Sequence, residues 1–341
     1  MAFSKEILDL HMDAHLIDLH IDSNFLSGLV GYDFLKRHTA WLPMGALCSH
    51  VDLPRMIEGG MDTAGFGVVV NPLCKPEKAW RSTLSQLNLF SGTCKRSYGE
   101  LVLVGTPEEC IKAKQENKKS GFLGLEGAHC LGDDINNVDT AFEKGARYIT
   151  IAHFSSNIAG ACAKGMGADN AAGLSDWGHI LVEKMNTLGM MVDVAHVNKK
   201  TFLQAVRHSA APCIASHTGV LGAYELWRNL DDEMIAELVK NNGVMGIIFA
   251  PNYISGKLKD NAEAVFRHID YVVQKYGEDY VGIGSDFDGF IWSTPTNLRD
   301  AAAVPVLTKM MLQHGYKEER IRKILGKNVL RVWQDCVDKA S

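Results

Sequence analysis

Seven side chains able to hold a cation or move a proton follow short apolar runs in this sequence of 341 residues: His20, Asp22, Glu126, His153, His196, His217 and Asp286. His20 and Asp22 form an H-x-D pair, and residues i and i+2 of an extended segment point to the same side, so both can reach one ion. Imidazole and carboxylate together, without thiolate, suit Zn²⁺ or a related divalent ion at a catalytic centre. Taken singly, each residue has an ordinary explanation. A lone histidine beside an apolar strand is most often a core or loop residue with its hydrogen bonds satisfied, and Asp286 or Asp288 suits a turn. The coincidence is what carries weight, because the seven residues follow six different apolar runs. His11, His15, His38, His50, His179, His208, His268 and His314 fall instead in helical or loop patterns, and His129 is ambiguous.

The elements that must position these groups are legible in outline. Short apolar runs recur at Leu16–Leu19, Gly65–Val70, Gly121–Leu125, Tyr148–Ile151, Met190–Val194, Cys213–Ala215, Val244–Phe249 and Tyr280–Ile283. Runs of this length without alternation suit parallel strands buried on both faces. Helix-length segments lie between them. Ser175 opens one through Leu188, Asp231 another through Asn241, and Asn261 a third through Tyr276, each closed by a glycine at or just beyond its end. Strands alternating with helices predict an α/β fold, a (β/α)₈ TIM-type barrel in one domain over 1–341. Long insertions are expected near 23–60 and 71–118. A C-terminal helix near 318–337 is expected to pack on the outside through Ile321, Ile324, Leu325 and Val329. In such a barrel the ends of all the strands converge on one mouth, where active sites form.

Composition narrows the class. The chain is 46% hydrophobic and 22% charged, as an ordinary globular protein is. Its net charge of −5 offers no basic footprint for nucleic acid. No apolar stretch approaches the roughly 18–20 residues that span a bilayer, and Met1–Asp13 lacks the apolar core of a secretory signal. These features predict a cytoplasmic protein with no membrane or nucleic-acid partner. Eight cysteines without a C-x-x-C pair read as reduced thiols.

Several segments, in order, carry a resemblance. They include Asp18-Leu19-His20-Ile21-Asp22, Asp52-Leu53-Pro54-Arg55, Gly124-Leu125-Glu126-Gly127, Ile151-Ala152-His153, Asp193-Val194-Ala195-His196, Ser216-His217-Thr218, Arg228-Asn229-Leu230, Asn252-Tyr253-Ile254-Ser255 and Gly284-Ser285-Asp286-Phe287-Asp288-Gly289. From about Leu16 to Val332 the chain resembles the zinc-dependent membrane (renal-type) dipeptidases of the amidohydrolase superfamily. The resemblance implies two zinc ions per subunit, bridged by Glu126 and a hydroxide. His20 and Asp22 would bind one ion, and His196 and His217 the other. It further implies substrate contacts at His153, Arg228 and Tyr253, and a homodimer. The sequence departs from the family at His20-Ile21-Asp22-Ser23-Asn24, where H-N-D-L-P is usual, and in the loops between Asn24 and Ala46 and between His153 and Gly173.

The expected chemistry is a binuclear zinc dipeptidase. The bridging hydroxide would attack the peptide bond, Asp286 would carry a proton to the leaving amine, and His153 would donate to the developing oxyanion. Arg228 offers a planar fork for the substrate's C-terminal carboxylate. A D-residue at that position is left open. The alternatives are a metal-dependent hydrolase of another amide, a lactone or a thiol conjugate, and a non-catalytic barrel scaffold.

Overall fold

The computed structural model describes residues 3–39 and 48–340, so residues 40–47 of the connection read as an insertion lie outside the described residues. Eight strands form the frame: β1 (Leu16–Ile21), β2 (Met61–Val68), β3 (Lys119–Leu125), β4 (Ala146–Thr150), β5 (Met191–Asp193), β6 (Cys213–Val220), β7 (Val244–Ile247) and β8 (Val281–Ile283). Each is parallel to its neighbours, and pairing of Asp18 on β1 with Ile283 on β8 closes the cylinder. The expected (β/α)₈ barrel is therefore what forms. Strands β1, β2 and β6 are buried at every residue, which explains why their sequences run apolar without alternation. Two short strands stand outside the frame, Leu101–Leu103 beside the start of β3 and Asn229–Leu230 beside the end of β6.

The helix starts follow the capping chemistry. The side chains of Ser175, Asp231 and Asn261 accept hydrogen bonds from the backbone N–H groups of Gly178, Met234 and Glu263, opening helices Asp176–Thr187, Asp232–Lys240 and Ala262–Tyr276. No helix among the described residues is long and apolar enough to cross a membrane. No disulfide joins the cysteines.

The C-terminal segment departs from the sequence reading. Glu318–Arg322 is helical, Lys323–Lys327 forms a π-turn, and Asn328–Asp338 continues as α-helix. This last helix does not lie on the outer flank but crosses the N-terminal ends of β5 to β8. Cys336 Sγ meets the carbonyl of Pro212, and Arg331 donates to the carbonyls of Asn242 and Asp279, which precede β7 and β8. Trp333 is fully buried, its ring 4.8 Å from that of Phe122 on β3. A barrel whose floor is closed by an indole has its open end at the other side, where the strands' C-terminal ends lie.

One buried histidine outside the mouth sets a pH limit on the fold. His268 is fully buried, its Nδ1 accepts from the N–H of Val220 at the end of β6, and its Nε2 donates to the carbonyl of Ile254. Burial lowers its pKa to about 4. The neutral ring therefore stabilises the fold fully above about pH 6.5, the unfolded value, and this contribution is lost as pH falls from there toward 4. The loss should approach about 3 kcal/mol for the full shift. Replacing His268 with Gln, which titrates nowhere in this range, should flatten the dependence of Tm on pH between 7 and 5; an unchanged slope would place the acid sensitivity elsewhere.

Candidate metal centre and active site

All seven chemistry-bearing residues meet at the C-terminal mouth. His20 lies on β1 itself, and Asp22 is the cap residue of the helix Ser23–Val30 that follows. Glu126 follows β3 directly, His153 follows β4 by three residues, and His196 follows β5 by three. His217 lies within β6 rather than after it, because the strand continues through a register shift between Ala215 and Thr218 to Val220. Asp286 follows β8. His196 and Asp286 take positive φ values of 64° and 59°, a left-handed turn at two strand ends. Such backbone costs of order 1–3 kcal/mol per residue and persists where the surroundings hold it. Here it turns both side chains into the mouth.

Glu126 is the centre of the cluster. Its Oε1 lies 3.2 Å from Nε2 of His196, 3.4 Å from His153, 3.5 Å from His217 and 3.7 Å from His20. Nε2 of His196 and Nε2 of His217 are 2.7 Å apart. His20 Nε2 is 3.4 Å from Asp22 and 4.0 Å from Asp286. Three donor groupings, each with ligand atoms within 4.8 Å, interleave: His20–Asp22–Glu126, Glu126–His153–His196 and His20–His217–Asp286. The site is one continuous set of donors.

These residues fit divalent cations on their own physical terms. Nε2 of His20 and Oδ1 of Asp22 are buried and make no hydrogen bond, a costly state for polar atoms unless something else binds them. Three carboxylates share one buried pocket. Burial raises the pKa of Glu126 well above the usual range and, with Asp22 nearby, raises Asp286 to about 8. Burial also works against a charged His20, but Glu126, Asp22 and Asp286 outweigh it and raise that imidazole to about 10. Burial and cationic neighbours instead hold His196 and His217 well below the ordinary value, neutral and able to donate a lone pair. The arrangement is short of positive charge.

Residues not singled out from the sequence hold these side chains in place. The buried hydroxyl of Tyr148 is 2.5 Å from Nδ1 of His20. With Nε2 facing the cluster, Nδ1–H is the donor, a common way of orienting a metal-binding histidine. Gly124 makes this possible, since a Cβ there would fall 1.8 Å from Cζ of Tyr148. On the other side, His217 Nδ1 meets Ser216 Oγ at 3.0 Å, and that hydroxyl donates to Asp193 at 2.7 Å. Asp193 also accepts from Thr150 Oγ1 and from the N–H groups of Ala195 and Ser216. A Cβ at Gly67 would lie 2.1 Å from Asp22 Oδ1. Gly124 and Ser216 stand one or two residues from Glu126 and His217, Asp193, Thr150 and Tyr148 three to five residues before His196 or His153, and Gly67 near none of the seven, so sequence position hinted at only some of these supports.

Asp286 and Asp288, two residues apart, separate clearly. Asp286 lines the cavity, whereas Asp288 is fully buried and accepts from Ser23 Oγ at 2.5 Å and from the N–H of His50 at 2.6 Å. His50 thus serves a structural turn. The Asp52–Arg55 segment is structural too: Asp52 caps the helix Leu53–Glu58 and pairs with buried Arg55 at 2.8 Å.

The mouth encloses a cavity of about 280 Å³ lined by Asp22, Glu126, His153, His196, Asp286, Arg228 and Tyr253, among others. Arg228 is buried, with Nη2 donating to the carbonyl of His217 at 2.6 Å. No described carboxylate lies within ion-pair distance of it. Burial lowers its pKa, and a guanidinium held in that state invites an anionic partner. Burial, with cationic neighbours, lowers His153 to about 3, so its ring is neutral.

Fold and site together define a metal-dependent hydrolase of the α/β-barrel class. The chain belongs to the membrane dipeptidase family, peptidase family M19, whose family model matches residues 4–341. Dipeptidase tcpJ of Claviceps purpurea (strain 20.1) is 31% identical over 322 residues, covering 91% of this chain and 74% of that one. A metallo peptidase from Rhodobacter sphaeroides, solved with a phosphinate mimic of the dipeptide L-Ala-D-Ala, is 26% identical with a TM-score of 0.81, covering 95% of this chain and 99% of that one. The probable dipeptidase PvdM from Pseudomonas aeruginosa shares the fold, with a TM-score of 0.89 at 20% identity over 98% of each chain.

Proposed function

We propose that this metallo-dipeptidase uses two zinc ions, with His20 and Asp22 holding one, His196 and His217 the other, and Glu126 between them. Bound there, the ions would supply an activated water nucleophile and polarise the scissile carbonyl. The protein's own groups do the rest. Neutral His153 keeps a ring N–H to donate to the oxygen that gains charge at the tetrahedral stage. Asp286 accepts the proton released by the nucleophile and delivers it to the leaving amine. Arg228 receives the substrate's C-terminal carboxylate, with Tyr253 beside it on the cavity wall. A D-residue at the C-terminal position fits this reading, as the ligand of the Rhodobacter sphaeroides peptidase mimics L-Ala-D-Ala.

The observation that carries the dipeptide reading is the buried Arg228, which faces the same cavity as the carboxylate cluster and lacks an ionic partner among the described residues. A longer peptide would put an amide where a carboxylate belongs. Arg228→Met keeps most of the stem's packing and deletes the fork. It should raise KM for a free dipeptide at least tenfold. A dipeptide amide should be a poor substrate for the wild type and change little on mutation, so the two changes should be non-additive. Equal harm to acid and amide would make Arg228 structural and return the substrate class to an unspecified amide.

A further inference from the structure

A second, larger cavity opens from the catalytic one. It holds about 640 Å³ and shares Phe25, Val69, His153 and Phe154 with the catalytic cavity of about 280 Å³. The smaller space suits two small residues, whereas the two together reach the range of pockets that enclose drug-sized ligands. Phe25, Leu29, Val69, Leu89 and Phe154 give the annex apolar walls, and Lys78, Ser82 and Ser85 give it a polar edge. Leu29 and Phe154 stay 56% and 40% exposed, apolar surface that gains from being covered. The sill between the cavities is fixed, because the Gln86 side chain accepts from the N–H of Val69 and donates to its carbonyl at 3.2 and 2.7 Å.

Barrel order sets which end of a substrate reaches this annex. Arg228 follows β6, and the sill at Val69 follows β2. Apart from His153 and Phe154, the annex lining follows β1 or β2, three or four steps around an eight-stranded cylinder from β6, so that wall of the annex and Arg228 face each other across the carboxylate cluster. A dipeptide with its carboxylate on Arg228 and its scissile bond over Glu126 directs its amino-side residue toward the annex.

We propose that the annex seats the amino-side side chain, and that the preferred substrates are dipeptides whose N-terminal residue is large and apolar and whose C-terminal residue is small. This inference rests on the dipeptidase reading above. The metal-replete enzyme, assayed on Trp-Gly, Gly-Trp and Ala-Gly, should show kcat/KM for Trp-Gly at least tenfold above that for Gly-Trp. Gly28 lies on the annex-facing helix, where an added Cβ would meet only Leu89 at 3.6 Å. Gly28→Phe should therefore fill the annex and lower the Trp-Gly to Ala-Gly ratio of kcat/KM at least tenfold. Ser85→Trp, from the exposed face of the helix Pro76–Arg96, should do the same and supplies the readout if Gly28→Phe fails to fold. Equal or inverted rates for the Trp-Gly and Gly-Trp isomers, or a ratio unmoved by the variants, would overturn the annex assignment while leaving the dipeptidase reading intact. Hydrolysis of none of the three would overturn the dipeptidase reading itself.

Discussion

Glu126→Gln is expected to remove most of the metal-dependent activity while leaving the barrel folded. The substitution keeps size but removes the charge at the one atom that lies 3.2 to 3.7 Å from four histidine nitrogens. Metal analysis after zinc supplementation should show loss of at least one equivalent relative to wild type. Turnover should fall by roughly a hundredfold or more, beyond the 10–100-fold effect of disturbing only a supporting residue. A second readout does not depend on activity. A ligand that binds only the folded state raises its stability, so zinc should raise the Tm of the wild type and raise that of Glu126→Gln much less. The metal-free variant should be no less stable than the metal-free wild type, since burial already disfavours the Glu126 carboxylate. Full metal content with near-normal turnover would remove Glu126 from the centre of the site.

Asp286→Asn should lower kcat by roughly 10²–10⁴, the usual contribution of a positioned acid–base group, with KM within a few-fold of wild type. The control is two residues away. Asp288 carries its hydrogen bonds to Ser23 and His50 away from the cavity, and those bonds hold its pKa low despite burial. Asp288→Asn weakens those charge-assisted contacts, so its cost should appear as a lower Tm with kcat of the remaining folded enzyme largely kept. If Asp288→Asn abolishes turnover and Asp286→Asn does not, the proton carrier has been assigned to the wrong carboxylate.

The sequence by itself determined the frame and the donor set. Parallel strands buried on both faces must run apolar, and helices between them need polar caps and glycine stops, so all eight barrel strands and the helices opened by Ser175, Asp231 and Asn261 could be read from local pattern. Strand ends in such a barrel share one mouth, which is why His20, Asp22, Glu126, His153, His196, His217 and Asp286 could be grouped although up to 266 positions separate them. Only the tertiary structure decided the rest, because those features depend on contacts between distant segments. The hydroxyl of Tyr148 orients His20 across 128 residues, and only the missing Cβ of Gly124 lets it do so. Asp286 and Asp288 are equivalent in local sequence; what separates them is that Ser23 and His50 arrive from elsewhere to satisfy one and not the other. The amphipathic tail announced a buried face but not a partner, and it found the floor of the barrel, where Trp333 meets Phe122. Periodicity reports that a side chain is covered; which surface covers it is a property of the assembled fold.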